Sequence, residues 1–172
     1  MVGAGDVVKS QTPEPPADSP WTIAAERLTV DRSPYVRLYE QDLRLTDGKL
    51  LPGYLRIELP AFAITFALTE AGQVVFVRQF RQAVCDWTFE LPGGRIDPDE
   101  DPLLAAQREL REEAGLEAAD WQFLGRFVMD ANRHCGWCCA FLATGARQTM
   151  APDSGDGEMT THFWSLEETR QR

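Results

Sequence analysis

Residues 94–116 read GRIDPDEDPLLAAQRELREEAGL. Pro102 stands where the first turn of a helix tolerates a missing N–H, Asp101 precedes it as an N-cap, and Gly115 stands where a left-handed residue ends a helix. A short helix between Pro102 and Gly115 follows. At about 100° per residue, Leu103, Ala106, Leu110 and Ala114 form an apolar stripe, while Glu109, Glu112 and Glu113 cluster on a neighbouring one. Like charges at these spacings repel, so a helix that gathers three carboxylates asks for a cation. Glutamate oxygens are hard ligands that suit Mg²⁺, with Mn²⁺ as the alternative, and such ions take their remaining oxygens from water and phosphate. The natural substrate is then a polyphosphate. Taken alone, a run of acidic residues is more often a solvated face, and it is the residues around the run that decide otherwise.

Those residues are Gly94, Glu100, Arg108, Glu109, Leu110, Glu112, Glu113, Gly115 and Leu116: a glycine, five residues, a glutamate, seven residues, then Arg-Glu-apolar-x-Glu-Glu-x-Gly-apolar. Every fixed position of that spacing resembles the signature of the Nudix hydrolases. The resemblance implies an α/β fold, a Nudix α/β/α sandwich with a mixed central sheet preceded by a small N-terminal β unit. It also implies a loop-helix-loop that binds divalent metal and hydrolyses a nucleoside diphosphate linked to another group. By the same resemblance Glu109, Glu112 and Glu113 hold the metal with the Gly93 carbonyl, Arg108 orients the glutamates through an ion pair and is a candidate substrate-binding residue, and Glu100 supports the loop. Arg81 contacts the diphosphate. In such enzymes an acidic loop residue helps activate water, and Glu158, six residues before Trp164, fits that place better than Asp153 or Asp156.

Gln79-Phe80-Arg81 together with Glu90-Leu91-Pro92-Gly93-Gly94 is similar to the ADP-ribose and nucleotide-sugar pyrophosphatases. That branch commonly carries a Ser-Pro-Gly segment where this chain has Ala131 to Trp137, so the linked group stays open. Asn132, Arg133 and His134 are candidates for substrate contact, with a solvated loop as the plainer reading. Two other functions stay open beside the pyrophosphohydrolase: a Nudix-fold sensor that binds a nucleotide metabolite without cleaving it, and a hydrolase of nucleoside triphosphates.

Outside the signature, the 172-residue chain carries a formal net charge of −10, which argues against nucleic-acid and anionic-membrane partners and leaves a small nucleoside diphosphate derivative as the expected one. No apolar run approaches the ~20 residues that span a bilayer, and a cytoplasmic protein is expected. Residues 1–20, rich in proline and small polar residues, predict a disordered tail, or an arm if a partner covers Val7 and Val8. Residues 21–57 alternate as short strands around a Thr46-Asp47-Gly48 turn and predict the small β unit, which in the resembling branch helps form a homodimer. Trp21 or Tyr35 of this unit is a candidate to stack on a base. Residues 58–172 are expected, by the same resemblance, to form the Nudix domain, opening with a hairpin of FAITFALTE and QVVFVRQFR around Ala71-Gly72. Cys85, Cys135, Cys138 and Cys139 lack the two ligand pairs of a structural zinc site, so free thiols are expected and no disulfide.

Overall fold

The computed structural model of the protein describes residues 16–152 and 158–172. The expectations placed on the first fifteen residues, and on Asp153 and Asp156, lie outside these residues. The backbone falls into two compact units, Phe62–Arg126 with Cys138–Arg172, and the described part of Lys9–Ala61 with Phe127–Trp137.

In the N-terminal unit, strands β1 (Thr22–Arg32), β2 (Val36–Arg44) and β3 (Leu50–Glu58) form an antiparallel sheet in that order. The turn between β2 and β3 falls where the sequence places it, with the Gly48 N–H donating to the Leu45 carbonyl and Gly48 at φ +82°. The apolar alternation of β2 slips at Glu40-Gln41, and the β2–β3 register shifts between Gln41 and Leu43, a bulge at the same point. Alternation predicts an apolar covered face, but beside Leu43 the sheet buries Gln41 and Arg56. The reason is mutual satisfaction across strands. Arg56 stacks 3.9 Å over the Tyr39 ring and pairs with Glu26 and Glu58, and Gln41 Nε2 donates to Glu26 at 2.5 Å. Residues 127–137 are tied to this unit by the Ile57 N–H on the Arg133 carbonyl (2.7 Å) and the Tyr54 hydroxyl on the Asn132 carbonyl.

The larger unit follows the chain through β4 (Phe62–Thr69), β5 (Val74–Arg81), β6 (Asp86–Glu90), β7 (Gly93–Arg95), α1 (Pro102–Ala114), β8 (Leu116–Glu117), β9 (Asp120–Val128), β10 (Trp137–Gln148), β11 (Met159–Trp164) and α2 (Leu166–Gln171). Its sheet runs β11-β5-β4-β10-β8, with β6 on β5, β7 on β4 and β9 on β10. The β4–β10 pair is parallel whereas β5 pairs antiparallel with β11, β4 and β6, so the sheet is mixed.

The expected β4–β5 hairpin forms only beside its turn, where Leu68 faces Val74. Farther out the two strands splay. β7 takes the β4 edge, pairing Phe62–Ile64 with Arg95–Gly93, and β6 takes the β5 edge, pairing Val77–Arg81 with Glu90–Asp86. The Thr65 N–H donates to the Pro92 carbonyl at 2.9 Å and closes the wedge. This insertion delivers Gly93 and Gly94 beneath α1. A Cβ on Gly93 would lie 2.3 Å from the Ala63 carbonyl oxygen, so only glycine lets the two backbones approach.

Helix α1 begins and ends as its sequence predicts. The Asp101 carboxylate accepts from the Leu103 N–H at 2.8 Å, and Gly115 at φ +68° returns its N–H to the Arg111 carbonyl. The buried face is Pro102, Ala105, Ala106, Leu110 and Ala114, with Leu103 of the expected stripe only half-buried. Leu110, Ala114 and Leu116 pack on Ala67, Val75, Ala143 and Ala146 of the sheet, so the core clamps the acidic helix by its apolar side. Helix α2 has six residues, capped by Ser165 and Glu168, with the Arg172 guanidinium 4.6 Å from the Trp164 ring. Among the described residues no helix is long and apolar enough to cross a membrane.

Both helix ends are open to test. Asp101→Ala should cost about 1 kcal/mol of stability by removing the cap. Gly115→Ala should cost more, since its Cβ would meet the Met150 carbonyl oxygen at 2.3 Å in a backbone conformation that alanine resists. Equilibrium urea unfolding of the two variants should preserve that order.

Candidate active site

The acidic cluster is built by one arginine. Arg108 Nε and Nη2 donate to the two oxygens of Glu100 at 2.9 and 3.0 Å, Nη1 donates to Glu109 at 2.7 Å and Glu112 at 3.2 Å, and Nη2 also reaches the Arg95 carbonyl at 3.0 Å. Glu100 in turn accepts the Asp97 N–H at 2.9 Å, closing the loop before α1. Arg108 thus forms ion pairs with Glu100, Glu109 and Glu112. The fork holds the Glu100 carboxyl below the usual carboxylate range, and the same bonds raise the Arg108 guanidinium above its ordinary value.

Glu109 and Glu113 differ from Glu112, which is half exposed. Glu109 lies against Gly94, where an added Cβ would sit 2.4 Å from its carboxylate oxygen. Burial raises the Glu109 carboxyl despite Arg108. Glu113 accepts the Gly93 N–H at 2.9 Å, and burial, helped by the charge on Glu109, pushes its carboxyl up to about 7. Desolvated carboxylates of like charge side by side are what a divalent cation relieves, and the donor set is hard oxygen throughout. The residues fit such an ion by chemistry. Among the described residues, however, no three His, Cys, Asp or Glu side chains already converge as a metal cage. Glu109 and Glu112 point to Arg108, and Gly93 offers Glu113 its N–H.

A second cluster, unforeseen in the sequence, centres on Glu90. Arg81 Nε and Nη2 donate to its two oxygens at 2.8 and 2.5 Å, Thr88 Oγ1 donates at 2.5 Å, and Gln79 Nε2 at 3.3 Å. The Arg81 fork holds the Glu90 carboxyl below the usual range. Glu90 belongs to the Glu-Leu-Pro-Gly-Gly stretch, but its link to Arg81 depends on the β5–β6 register, which single-strand periodicity does not reveal.

Glu158 is exposed in the turn entering β11, whose Thr161 hydroxyl reaches the Glu113 carbonyl at 3.3 Å. Trp21 and Tyr35 are exposed residues of the N-terminal unit. In the 131–137 loop, Asp130 accepts from the Asn132 and Arg133 N–H groups and from the Arg133 guanidinium, so these residues shape the loop itself. All four cysteines are free: Cys138 and Cys139 are buried in β10, with burial pushing the Cys138 thiol up to about 11, whereas Cys85 is exposed.

Residues 58–172 match the model of the NUDIX domain. The chain is 30% identical over 158 residues to an ADP-ribose pyrophosphatase of Mycobacterium tuberculosis, a match covering 88% of this chain and 73% of that protein. It is 32% identical over 97 residues to an ADP-ribose pyrophosphatase of Bacillus subtilis, covering 56% of this chain and about half (51%) of the relative. Among solved structures, an ADP compounds hydrolase shares the fold with a TM-score of 0.75 at 21% identity, over 88% of this chain and 81% of that one.

Because one guanidinium pairs with three carboxylates, Arg108→Met should leave Glu100 and Glu109 partly buried and unpaired, costing on the order of 2 kcal/mol. Arg108→Lys should recover little of it, since a point charge cannot reproduce the fork. Urea unfolding of the two variants against the parent measures both effects.

Proposed function

The chain belongs to the NUDIX family of hydrolases, and from that premise we propose that it is a pyrophosphohydrolase of ADP-ribose-like nucleoside diphosphate derivatives, acting with Mg²⁺ and able to use Mn²⁺. The observation that carries the proposal is the placing of Glu113 on the Gly93 N–H and of Glu109 against Gly94 at the wedge between β4 and β5, with Arg108 bonded to Glu109 and Glu112. The substrate class rests on the names of the two pyrophosphatase relatives and on the Gln79-to-Gly94 stretch.

Members of this family generally need a divalent metal, and the bound ion supplies neutralisation of the diphosphate oxygens and a water acidified for attack. Glu109, Glu112 and Glu113 would hold it, with the Gly93 carbonyl. Arg108 and Glu100 keep the loop and helix in register so that the carboxylates stay aligned, and Gly94 and Gly115 permit the close approaches on either side. Arg81 contacts the diphosphate. Glu158 takes the proton from the attacking water, whose oxygen bonds to one phosphorus as the bridging P–O bond breaks. The products are a nucleoside monophosphate and a phosphorylated partner, which for ADP-ribose are AMP and ribose 5-phosphate. Trp21 or Tyr35 stacks on the base.

We further propose a cytoplasmic homodimer joined through the N-terminal sheet. Its support is the exposure of Ile23, Leu28, Val30, Leu51 and Leu55 on a three-stranded sheet, which gains stability only when packed, and four free thiols suit a reducing compartment.

The test is turnover of ADP-ribose, ADP-, UDP- and GDP-sugars, dinucleotides and nucleoside triphosphates with Mg²⁺ or Mn²⁺, scored by mass spectrometry of products. The expected outcome is a kcat/KM for ADP-ribose or another diphosphate-linked compound at least roughly tenfold above any triphosphate. A triphosphate preference would replace the substrate class, and tight binding without turnover would favour the sensor. Glu112→Gln and Glu113→Gln should each lower kcat by about 10²-fold or more. The melting temperature of the metal-free protein should hold or rise by about 1–2 °C, because each change removes repulsion. Light scattering at micromolar concentration should give twice the chain mass.

A further inference from the structure

The Glu90 cluster is not accounted for by the metal-binding helix, and its geometry is more elaborate than an exposed ion pair needs. Glu90 accepts from Arg81 Nε, Arg81 Nη2, Thr88 Oγ1 and Gln79 Nε2, which fills the lone pairs of a carboxylate. Two side chains, Thr88 on β6 and Gln79 on β5, therefore aim one carboxylate at one guanidinium. An ion pair this exposed contributes little to stability, so its use lies in where it turns Arg81.

The sheet register says where that is. Side chains alternate along β5, and Val77, Gln79 and Arg81 share one face. Val77 pairs with Glu90 on one side and with Thr161 on the other, which puts Glu90 and Thr161 on the same face. The Thr161 hydroxyl reaches the Glu113 carbonyl, so this is the face that α1 covers. The charges of Arg81 and Glu90 both act on the Glu113 carboxylate. Arg81 thus stands at the border of the acidic cluster with its Nε–Nη2 edge taken. Among the described residues nothing occupies Nη1, and a guanidinium held by one edge presents the other to a second anion with its plane already set.

We propose that Glu90 is a positioning residue for substrate binding, fixing the Nε–Nη2 edge of Arg81 so that the Nη1 side faces a diphosphate oxygen. Thr88 and Gln79 hold Glu90 in turn. This rests on the pyrophosphohydrolase reading, because it needs an anion at that edge.

The experiment is a double-variant cycle of Arg81→Lys, Glu90→Gln and the pair together, with KM and kcat for ADP-ribose measured alongside metal titration and melting temperature. Each single variant should raise KM about tenfold and change kcat by no more than about threefold, a loss of uniform binding. The double variant should be no worse than Arg81→Lys alone, because Glu90 acts through Arg81. The metal midpoint and the melting temperature should stay with the parent. Multiplied losses in the double variant would overturn the proposal, as would a shifted metal midpoint, which would make Glu90 a ligand. A lower melting temperature with KM unchanged would make it structural. Calorimetric binding of ADP-ribose, ADP and inorganic pyrophosphate separates the two levels. If the parent binds one of them without cleaving any compound, the hydrolase reading fails while the same cycle, read as Kd, still judges Glu90. If it binds none, both fail.

Discussion

Arg108 uses all five of its N–H donors within its own chain, on both oxygens of Glu100, on Glu109, on Glu112 and on the Arg95 carbonyl. One of these partners ends β7, one lies in the loop before α1 and two are on the helix, so a single planar cation closes a loop that otherwise holds itself through short local bonds. Removing it would do more than lose an ion pair. Glu109 is desolvated against Gly94 and feels the charges of Glu112 and Glu100. With no cation beside them, three like-charged carboxylates would push the helix turn apart. The arginine keeps the cluster compact, and its fork fixes which way each carboxylate faces.

The second constraint is steric. Splaying of β4 from β5 opens a slot that β6 and β7 fill, and only residues without a Cβ pass between the β4 backbone and the Glu109 carboxylate. Gly93 and Gly94 meet that requirement, and the apolar side of α1 presses the assembly onto Ala67, Val75, Ala143 and Ala146. The site is therefore held from three directions: the core below the helix, the slot beside it and the guanidinium across its top. Such a frame fixes which partner each carboxylate faces, Glu109 and Glu112 toward Arg108 and Glu113 toward the Gly93 N–H.

How much of this was readable beforehand depends on the range of the interaction. The caps of α1 at Asp101 and Gly115 and the Gly48 turn are signalled within about one helical turn, and each appears in the structure, while the ion pairs of Arg108 were implied only by the family resemblance. The wedge was not signalled, because FAITFALTE and QVVFVRQFR each suit a hairpin and nothing local says that a third segment will separate them. Burial of Arg56 and Gln41 was hidden for a related reason: polarity argues for exposure until Glu26, Glu58 and Tyr39 arrive from neighbouring strands. Glu90 lay in a quoted motif without a role, since its partner Arg81 comes from another strand.

The two arginines show how environment divides one residue type between two tasks. Substrate of the proposed class is anionic, and a chain of net charge −10 repels it at long range. Attraction must come from local cations. Arg108 lies within the acidic cluster, its side chain 26% exposed and every donor committed, so it has nothing left to offer a phosphate. Arg81 is exposed and held by one edge only. Its charge is partly balanced by Glu90, which weakens attraction at a distance but leaves the directional donors of its open edge in place. Recognition built this way favours an anion that arrives with a cation of its own and presents an oxygen in the plane of the guanidinium, as a metal-bound diphosphate does.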